Sequence, residues 1–310
     1  MRLLLLGCTG LVGRELIPML QAAGHHLTVV SRRPQAVACP SLAQPLTWLQ
    51  LDPAQADAWA PEGPLHQALA AADGVVNLAG EPIAEQRWTP AHVQLLEDSR
   101  LHTTRHCVAA MAGLETPPSV LVNASAVGFY GTAADVCFQE SSGAGTDRLA
   151  RLCTAWEAAA ADKPAGTRLV VVRIGIVLAP DGGALGKMLP VFRAGFGGPI
   201  GDGRQWMSWI HRTDLCRLIA AALEDPAWIG VVNGVAPEPV RMGAFTTALG
   251  RCLGRPSLLP VPGPVLQLLL GDGARVVLEG QQVRSERLDG LGFTFRYPAL
   301  PAALDAATRS

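Results

Sequence analysis

The sequence predicts an α/β fold, a doubly wound parallel sheet with a small C-terminal lobe, and three observations carry that prediction. Short apolar runs alternate with helix-length amphipathic segments through residues 1–235, the pattern of strands covered by helices on both faces. The first run, Leu3–Leu6, opens into a loop with glycines at 7, 10 and 13 and then into a helical segment. Beyond residue 235 the regular alternation stops and a proline-rich connector at 256–264 interrupts the chain, which marks residues 236–310 as a separate small substrate lobe.

Each element follows in order. Gly7, Thr9, Gly10, Leu11, Val12 and Gly13 form a loop whose backbone N–H groups can approach a pyrophosphate at a helix N-terminus, and the strand–loop–helix–strand context marks a dinucleotide-binding Rossmann unit. Pro18 removes a hydrogen bond from the first helix and is expected to kink it. The second strand, His26–Val30, runs into Ser31, Arg32 and Arg33. An acidic residue there would suit the ribose hydroxyl of NAD; the paired arginines suit a 2′-phosphate, so NADP(H) is the expected cofactor, with solvated surface arginines as the other reading. Arg32 is the preferred clamp, since a guanidinium can both chelate phosphate and stack on adenine.

The Pro- and Ala-rich stretch 34–45 reads as irregular or weakly helical, and Leu46–Asp52 as a third strand whose Leu51 and Asp52 either line the adenine pocket or simply close the strand. Leu65–Ala72 is a helix and Gly74–Leu78 a fourth strand, followed by Leu78, Ala79 and Gly80, small enough to let the cofactor pass. Residues 81–89 form a loop at a strand's carboxyl end, where such folds bind ligands. Thr89 caps a helix reaching about Met111, with Pro90 at its first position. His102 and His106 share a face of it, without a third ligand at sensible spacing, so no metal is expected. Ser119–Ser125 is the fifth strand, Asp147–Ala161 a helix, and Arg168–Ile174 a strand. Residues 178–203 read as a Gly- and Pro-rich excursion over a site mouth, Trp206–His211 as a strand, Leu215–Leu223 as a helix and Val231–Val235 as a return to the sheet. In the lobe, Met242–Leu253 is a helix and the alternating residues 292–298 an edge strand.

Composition excludes several classes. A net charge of −1 offers no case for nucleic acid or an anionic membrane. The seven cysteines include no CxxC pair, so neither a disulfide framework nor a zinc knuckle is supported, and a reducing cytoplasm is expected. Met1–Leu6 carries the first strand rather than a signal peptide, and the apolar run Val265–Leu270 is far short of the ~18–20 residues a membrane helix needs.

The segments GCTGLVG (7–13), NLAGEPI (77–83), DSRLHTTR (98–105), NASAVGFYG (123–131), RIGIVLAP (173–180) and GGPIGDGRQWMSWIH (197–211) together resemble the extended short-chain dehydrogenase/reductase superfamily. More closely, the chain is similar to NAD-dependent epimerase/dehydratase-like proteins with a short C-terminal domain of unknown function. The resemblance implies a Rossmann fold, hydride-transfer chemistry, and a serine with a Tyr-x-x-x-Lys pair as the working groups. Ser125 matches the serine; Leu149 and Cys153 stand where the pair belongs, when Glu157 is aligned with the acid that usually follows the lysine. Leucine transfers no proton and a buried neutral thiol carries no charge, so the usual mechanism does not transfer.

Other acid–base candidates follow from position. Tyr130 either projects into the site or packs as a core aromatic; Glu81 is either a base beside the nicotinamide or a loop-surface carboxylate. Ala124 and Arg173 join the expected cofactor contacts, as does Arg100, which with Arg87 and Lys187 also reads as an anion binder or a structural ion pair. Trp88, Trp206 and Trp209 either wall an apolar pocket or fill the core, and His211 and Asp214 read as helix-capping residues. Two functions are consistent with all of this: an NADP(H)-dependent oxidoreductase or epimerase-type enzyme on a small molecule, or a non-catalytic NADP(H)-binding sensor.

Overall fold

A computed structural model describes residues 1–34 and 46–309; the expectation for the Pro- and Ala-rich stretch falls almost wholly outside the described residues. The strands are β1 (Arg2–Leu6), β2 (His26–Ser31), β3 (Thr47–Gln50), β4 (Gly74–Asn77), β5 (Val120–Ala126), β6 (Cys137–Phe138) and β7 (Arg168–Ile174). They continue as β8 (Ile176–Leu178), β9 (Trp206–Met207), β10 (Trp209–His211), β11 (Gly230–Gly234), β12 (Val240–Arg241) and β13 (Gln282–Val283). The helices are α1 (Gly13–Ala22), α2 (Pro64–Ala70), α3 (Pro90–Ala112), α4 (Arg148–Ala161) and α5 (Gly183–Arg193). After them come α6 (Arg212–Glu224), α7 (Met242–Leu253), α8 (Gly263–Leu270), α9 (Arg275–Leu278) and α10 (Leu300–Thr308).

Seven strands form one parallel sheet in the order β11-β7-β5-β4-β1-β2-β3, the doubly wound arrangement that the alternating pattern predicts. Side chains alternate across it. Leu3 and Leu5 of β1 pack with α1 and α6 through Leu16, Leu20, Leu215 and Ile219, while Leu4 and Leu6 pack on the other face with Leu65, Leu69 and Met111 of α2 and α3. Each such leucine, fully removed from water, contributes about 1.5–3 kcal/mol, so the β1 run alone anchors both layers. The first helix runs through Pro18 as a single element, with that proline exposed on its outer face.

A second apolar core crosses position 235. It joins Leu178, Leu185, Leu189, Phe192 and Trp209 to Phe245 and Leu249 of α7 and to Leu300 and Leu304 of α10. Conversely, Leu288, Phe293 and Phe295 return to the core under the main sheet.

Several expectations are corrected. The excursion 178–203 contains α5, whose Leu185, Leu189 and Phe192 form a buried stripe at helical spacing. Glycines at 182, 183 and 186 and Pro190 hid that stripe in the sequence. The strand at Trp206–His211 is two strands that part at Ser208: β9 pairs antiparallel with β12, and β10 parallel with β8. The third strand stops at Gln50, short of Leu51 and Asp52. Residues 292–298 are not a strand. Their alternation serves aromatic packing, with Phe293 and Phe295 edge to face at 5.0 Å, and the Arg296 and Tyr297 N–H groups donate to the buried Asp214 carboxylate at 2.7 and 2.9 Å.

Candidate active site

The glycine loop is built as the spacing predicts. A Cβ on Gly7 would overlap the backbone of Ala79, and one on Gly13 would overlap the Cys8 carbonyl, so both glycines let chain approach chain. Gly10 is different: a Cβ there would meet nothing within 4 Å, so the loop presents an open backbone face at the N-terminus of α1. Val12 occupies the N-cap position with no side-chain cap, which leaves that helix end to an anion. The loop is braced from behind by Arg212, which pairs with Glu15 at 2.8 Å and donates to the Leu11 carbonyl at 3.4 Å. At the end of β2, the Ser31 hydroxyl accepts the Arg33 N–H at 3.1 Å, and the Arg32 side chain stands 61% exposed with Nη2 3.4 Å from Glu81. The open glycine face and the exposed Arg32, paired only at its tip with Glu81, fit a dinucleotide with a 2′-phosphate.

Next to this frame lies a cavity of about 490 Å³ at the carboxyl ends of β4, β5 and β7, walled by Leu78, Gly80, Ala124, Ser125, Gly175 and Trp206 among others. Position follows from register: Asn77 of β4 opposes Asn123 of β5, and their side chains bond at 2.7 Å. Asn77 also donates to Thr104 at 2.9 Å and accepts the Ala79 N–H at 3.2 Å, so the turn after β4 is fixed from below. Sequence reasoning missed the asparagine pair, although each sits at the head of a quoted small-residue motif.

Ser125 reaches the cavity wall, but its hydroxyl donates to Glu157 Oε1 at 2.6 Å. Its single proton is thus committed, and it offers lone pairs to whatever fills the cavity. Glu157 is clamped by Arg173, with Nε and Nη2 at 2.8 Å from its two oxygens, and Arg173 lies 3.3 Å from the Phe129 ring centre. The Arg173 Nη1 donates to the Tyr130 hydroxyl at 2.9 Å, which in turn donates to Asn233 at 2.7 Å. Burial lowers the pKa of Arg173, but its bonds to Glu157 and Tyr130 outweigh that and the net shift is upward. Burial pushes the Tyr130 phenol up despite Arg173.

This network places three of the expected site residues. Tyr130 is buried beneath Arg173, both its hydrogen-bonding roles are filled, and it is absent from the cavity wall. Arg173, expected among the cofactor contacts, clamps Glu157 and is not on the cavity wall. Glu81 does not join Ser125: its carboxylate turns to Arg32, while its backbone N–H donates to Ser99 at 3.0 Å. The sequence aligned Glu157 but not its role, which is to join Ser125 of β5 and Arg173 of β7.

Leu149 and Cys153 line the cavity, as the alignment on Glu157 requires. Burial, reinforced by the negative charge of Glu157, raises the Cys153 thiol to about 11, so it is neutral. Leu51 and Asp52 sit beyond β3, where Asp52 accepts the Ala54 N–H at 3.1 Å. Arg87 and Lys187 donate to the carbonyls of Leu268 and Ala84 at 3.2 and 2.8 Å, which tie the loop 81–89 to α8 and α5. Trp88 and Trp206 wall the cavity, whereas Trp209 is fully buried in the second core. His211 caps α6, accepting the Thr213 N–H at 3.1 Å; Asp214 instead holds the segment 296–297. His102 and His106 have ring centres 6.0 Å apart, and among the described residues no group of three metal-ligating side chains converges.

Residues 3–233 match the NAD dependent epimerase/dehydratase family, and residues 261–307 match a domain of unknown function, DUF1731. The chain belongs to the NAD dependent epimerase/dehydratase family. Among relatives of this family, the chloroplastic Epimerase family protein SDR39U1 homolog of Arabidopsis thaliana is 42% identical over 97% of this chain and 84% of its own length. The Epimerase family protein SDR39U1 of Homo sapiens is 39% identical, covering 98% of both. A crystal structure of human SDR39U1 (isoform 2) with NADPH superposes with a TM-score of 0.87 at 36% identity over the full length of both chains. UDP-glucuronic acid 4-epimerase from Bacillus cereus, solved with UDP-glucuronic acid and NAD, shares the fold, with a TM-score of 0.79 at 17% identity.

Proposed function

We propose that this epimerase-family chain is an NADP(H)-dependent oxidoreductase or epimerase-type enzyme acting on a small molecule. The observation that carries the reading is the cavity beside the glycine loop, with Ser125 held on its wall by a clamped carboxylate. The glycine loop would hold the pyrophosphate, and Ser31, Arg32 and Arg33 the 2′-phosphate; the NADPH in the human relative's structure supports this. Bound there, NADP(H) supplies a hydride donor or acceptor. Ser125 accepts a hydrogen bond from a substrate hydroxyl, and the short bond to Glu157 extends that line to a carboxylate paired with Arg173. Trp88 and Trp206 exclude water. Among the described residues no helix is long and apolar enough to cross a membrane, and the reading assumes a reducing, cytoplasmic compartment.

The test is direct. NADPH binding is measured on purified protein, and carbonyl compounds and sugar nucleotides are screened for loss of absorbance at the nicotinamide band. Ser125→Ala should remove at least 90% of any turnover; full turnover in that variant contradicts the assignment. One observation favours a second reading, a non-catalytic NADP(H) sensor: Leu149 and Cys153 leave the wall without the usual acid, and Tyr130 and Glu81 are engaged elsewhere. Tight NADPH binding with no turnover across the panel selects the sensor.

A further inference from the structure

One buried cation on the cavity wall is left over by the fold and by the reading above. Arg100 projects from α3, is only 7% exposed, and borders the cavity beside Gly80 and Trp156. Its Nη1 donates to the Leu96 carbonyl at 3.0 Å and its Nη2 to the Glu81 carbonyl at 2.9 Å. Among the described residues it forms no ion pair, and its guanidinium carbon lies 5.3 Å from the Trp156 ring centre. Burial lowers its pKa to about 10, which leaves it charged at neutral pH.

Arg168 shows what a purely structural arginine looks like in this chain. Among the described residues it too has no carboxylate within ion-pair distance, but its fork is filled by three backbone carbonyls, those of Ala222, Trp228 and Leu223, and it is not among the residues that wall the cavity. Arg100 spends fewer donors on the backbone and places its charge against open volume. A guanidinium carries five N–H donors, and an uncompensated charge taken out of water is costly unless an opposite charge arrives. Gly80 leaves room beside it, where a Cβ would come within 2.8 Å of the guanidinium carbon.

We propose that Arg100 is the oxyanion receptor of this cavity, binding a phosphate or carboxylate group of the molecule that fills it. The proposal deepens the enzymatic reading by giving the bound chemistry a charge. Two sources share that chemistry: the diphosphate of the cofactor and an anionic group on the substrate.

The experiment separates them. NADPH is titrated into wild type, Arg100→Met and Arg100→Lys, and inorganic phosphate is titrated into the same proteins saturated with NADPH, with melting temperature followed throughout. A loss of tenfold or more in NADPH affinity in Arg100→Met, held within threefold by Arg100→Lys, assigns the group to the cofactor. Unchanged NADPH affinity, with phosphate binding to the loaded wild type lost in Arg100→Met, assigns it to the substrate. Equal behaviour of wild type and Arg100→Met in both titrations overturns the proposal. Should Arg100→Met fail to fold, Arg100→Gln, which keeps amide donors for the two carbonyls but no charge, decides by the same thresholds. If wild type binds no NADPH, the cofactor reading falls by itself, and phosphate titrated into the cofactor-free proteins still decides Arg100: binding lost in the variant supports it, and equal or absent binding overturns it.

Discussion

Replacing Glu157 by glutamine keeps the shape of the side chain beneath Ser125 and removes its charge. In the native chain the Arg173 and Glu157 side chains are 5% and 13% exposed, and the pair is bidentate at 2.8 Å. Removing one partner of such a buried pair costs about 3–5 kcal/mol, because the other charge is left uncompensated. Glutamine can still accept one hydrogen bond, so the lower end applies: about 3 kcal/mol, or roughly 6 °C in melting temperature at about 2 °C per kcal/mol for a chain of this length. Urea unfolding and calorimetry at neutral pH measure it, alongside Arg173→Met and the double variant. The double variant should be less damaged than the sum of the two, since it leaves no orphan charge. Strict additivity, or a loss below about 1 kcal/mol in Glu157→Gln, refutes the clamp as an energetic unit.

Other outcomes follow from single positions. Arg32→Ala should weaken NADPH about 10–100-fold, the value of a charge-assisted bond, and leave NADH nearly unchanged; equal weakening in titrations of both contradicts the 2′-phosphate clamp. Gly10→Ala should melt within a degree or so of wild type yet bind NADPH poorly, whereas Gly13→Ala should lose about 1–3 kcal/mol because its Cβ meets the Cys8 carbonyl. His211 caps α6 through a bare Nδ1, and burial pushes its pKa below the ordinary imidazole value although Glu15 and Asp214 pull it up. The unfolded chain therefore binds more protons just below pH ~6.5, so this contribution to stability is present above that pH and declines on acidification; His211→Asn should flatten that part of the stability profile.

The fold was legible wherever one element carries its own signal. The apolar runs of β1, β2, β4, β5 and β7, the Thr89–Pro90 helix start and the glycine loop each announce themselves within a few residues. The site was legible only in part, because its decisive bonds join residues far apart in sequence: Ser125 with Glu157, Tyr130 with Asn233, Glu81 with Arg32. Placing Ser125 at a strand end says nothing about where its proton goes. Nor does the alternation at 292–298 reveal that the Asp214 carboxylate, rather than a neighbouring strand, takes its backbone N–H groups. Leu185, Leu189 and Phe192 carried a helical period all along, under glycines that argued for a loop.

The second core, assembled from α5, α7 and α10, imposes an order on synthesis. Leu178, Leu185 and Trp209 leave the ribosome about a hundred residues ahead of Leu300 and Leu304, which complete their packing. Until then those apolar side chains wait uncovered, and closing such a distant contact late is slow. The nucleotide-binding frame has most of its strands early, whereas the lobe beside the cavity closes only as the last helix docks. A nascent chain halted before residue 300 should therefore be the species that chaperones hold.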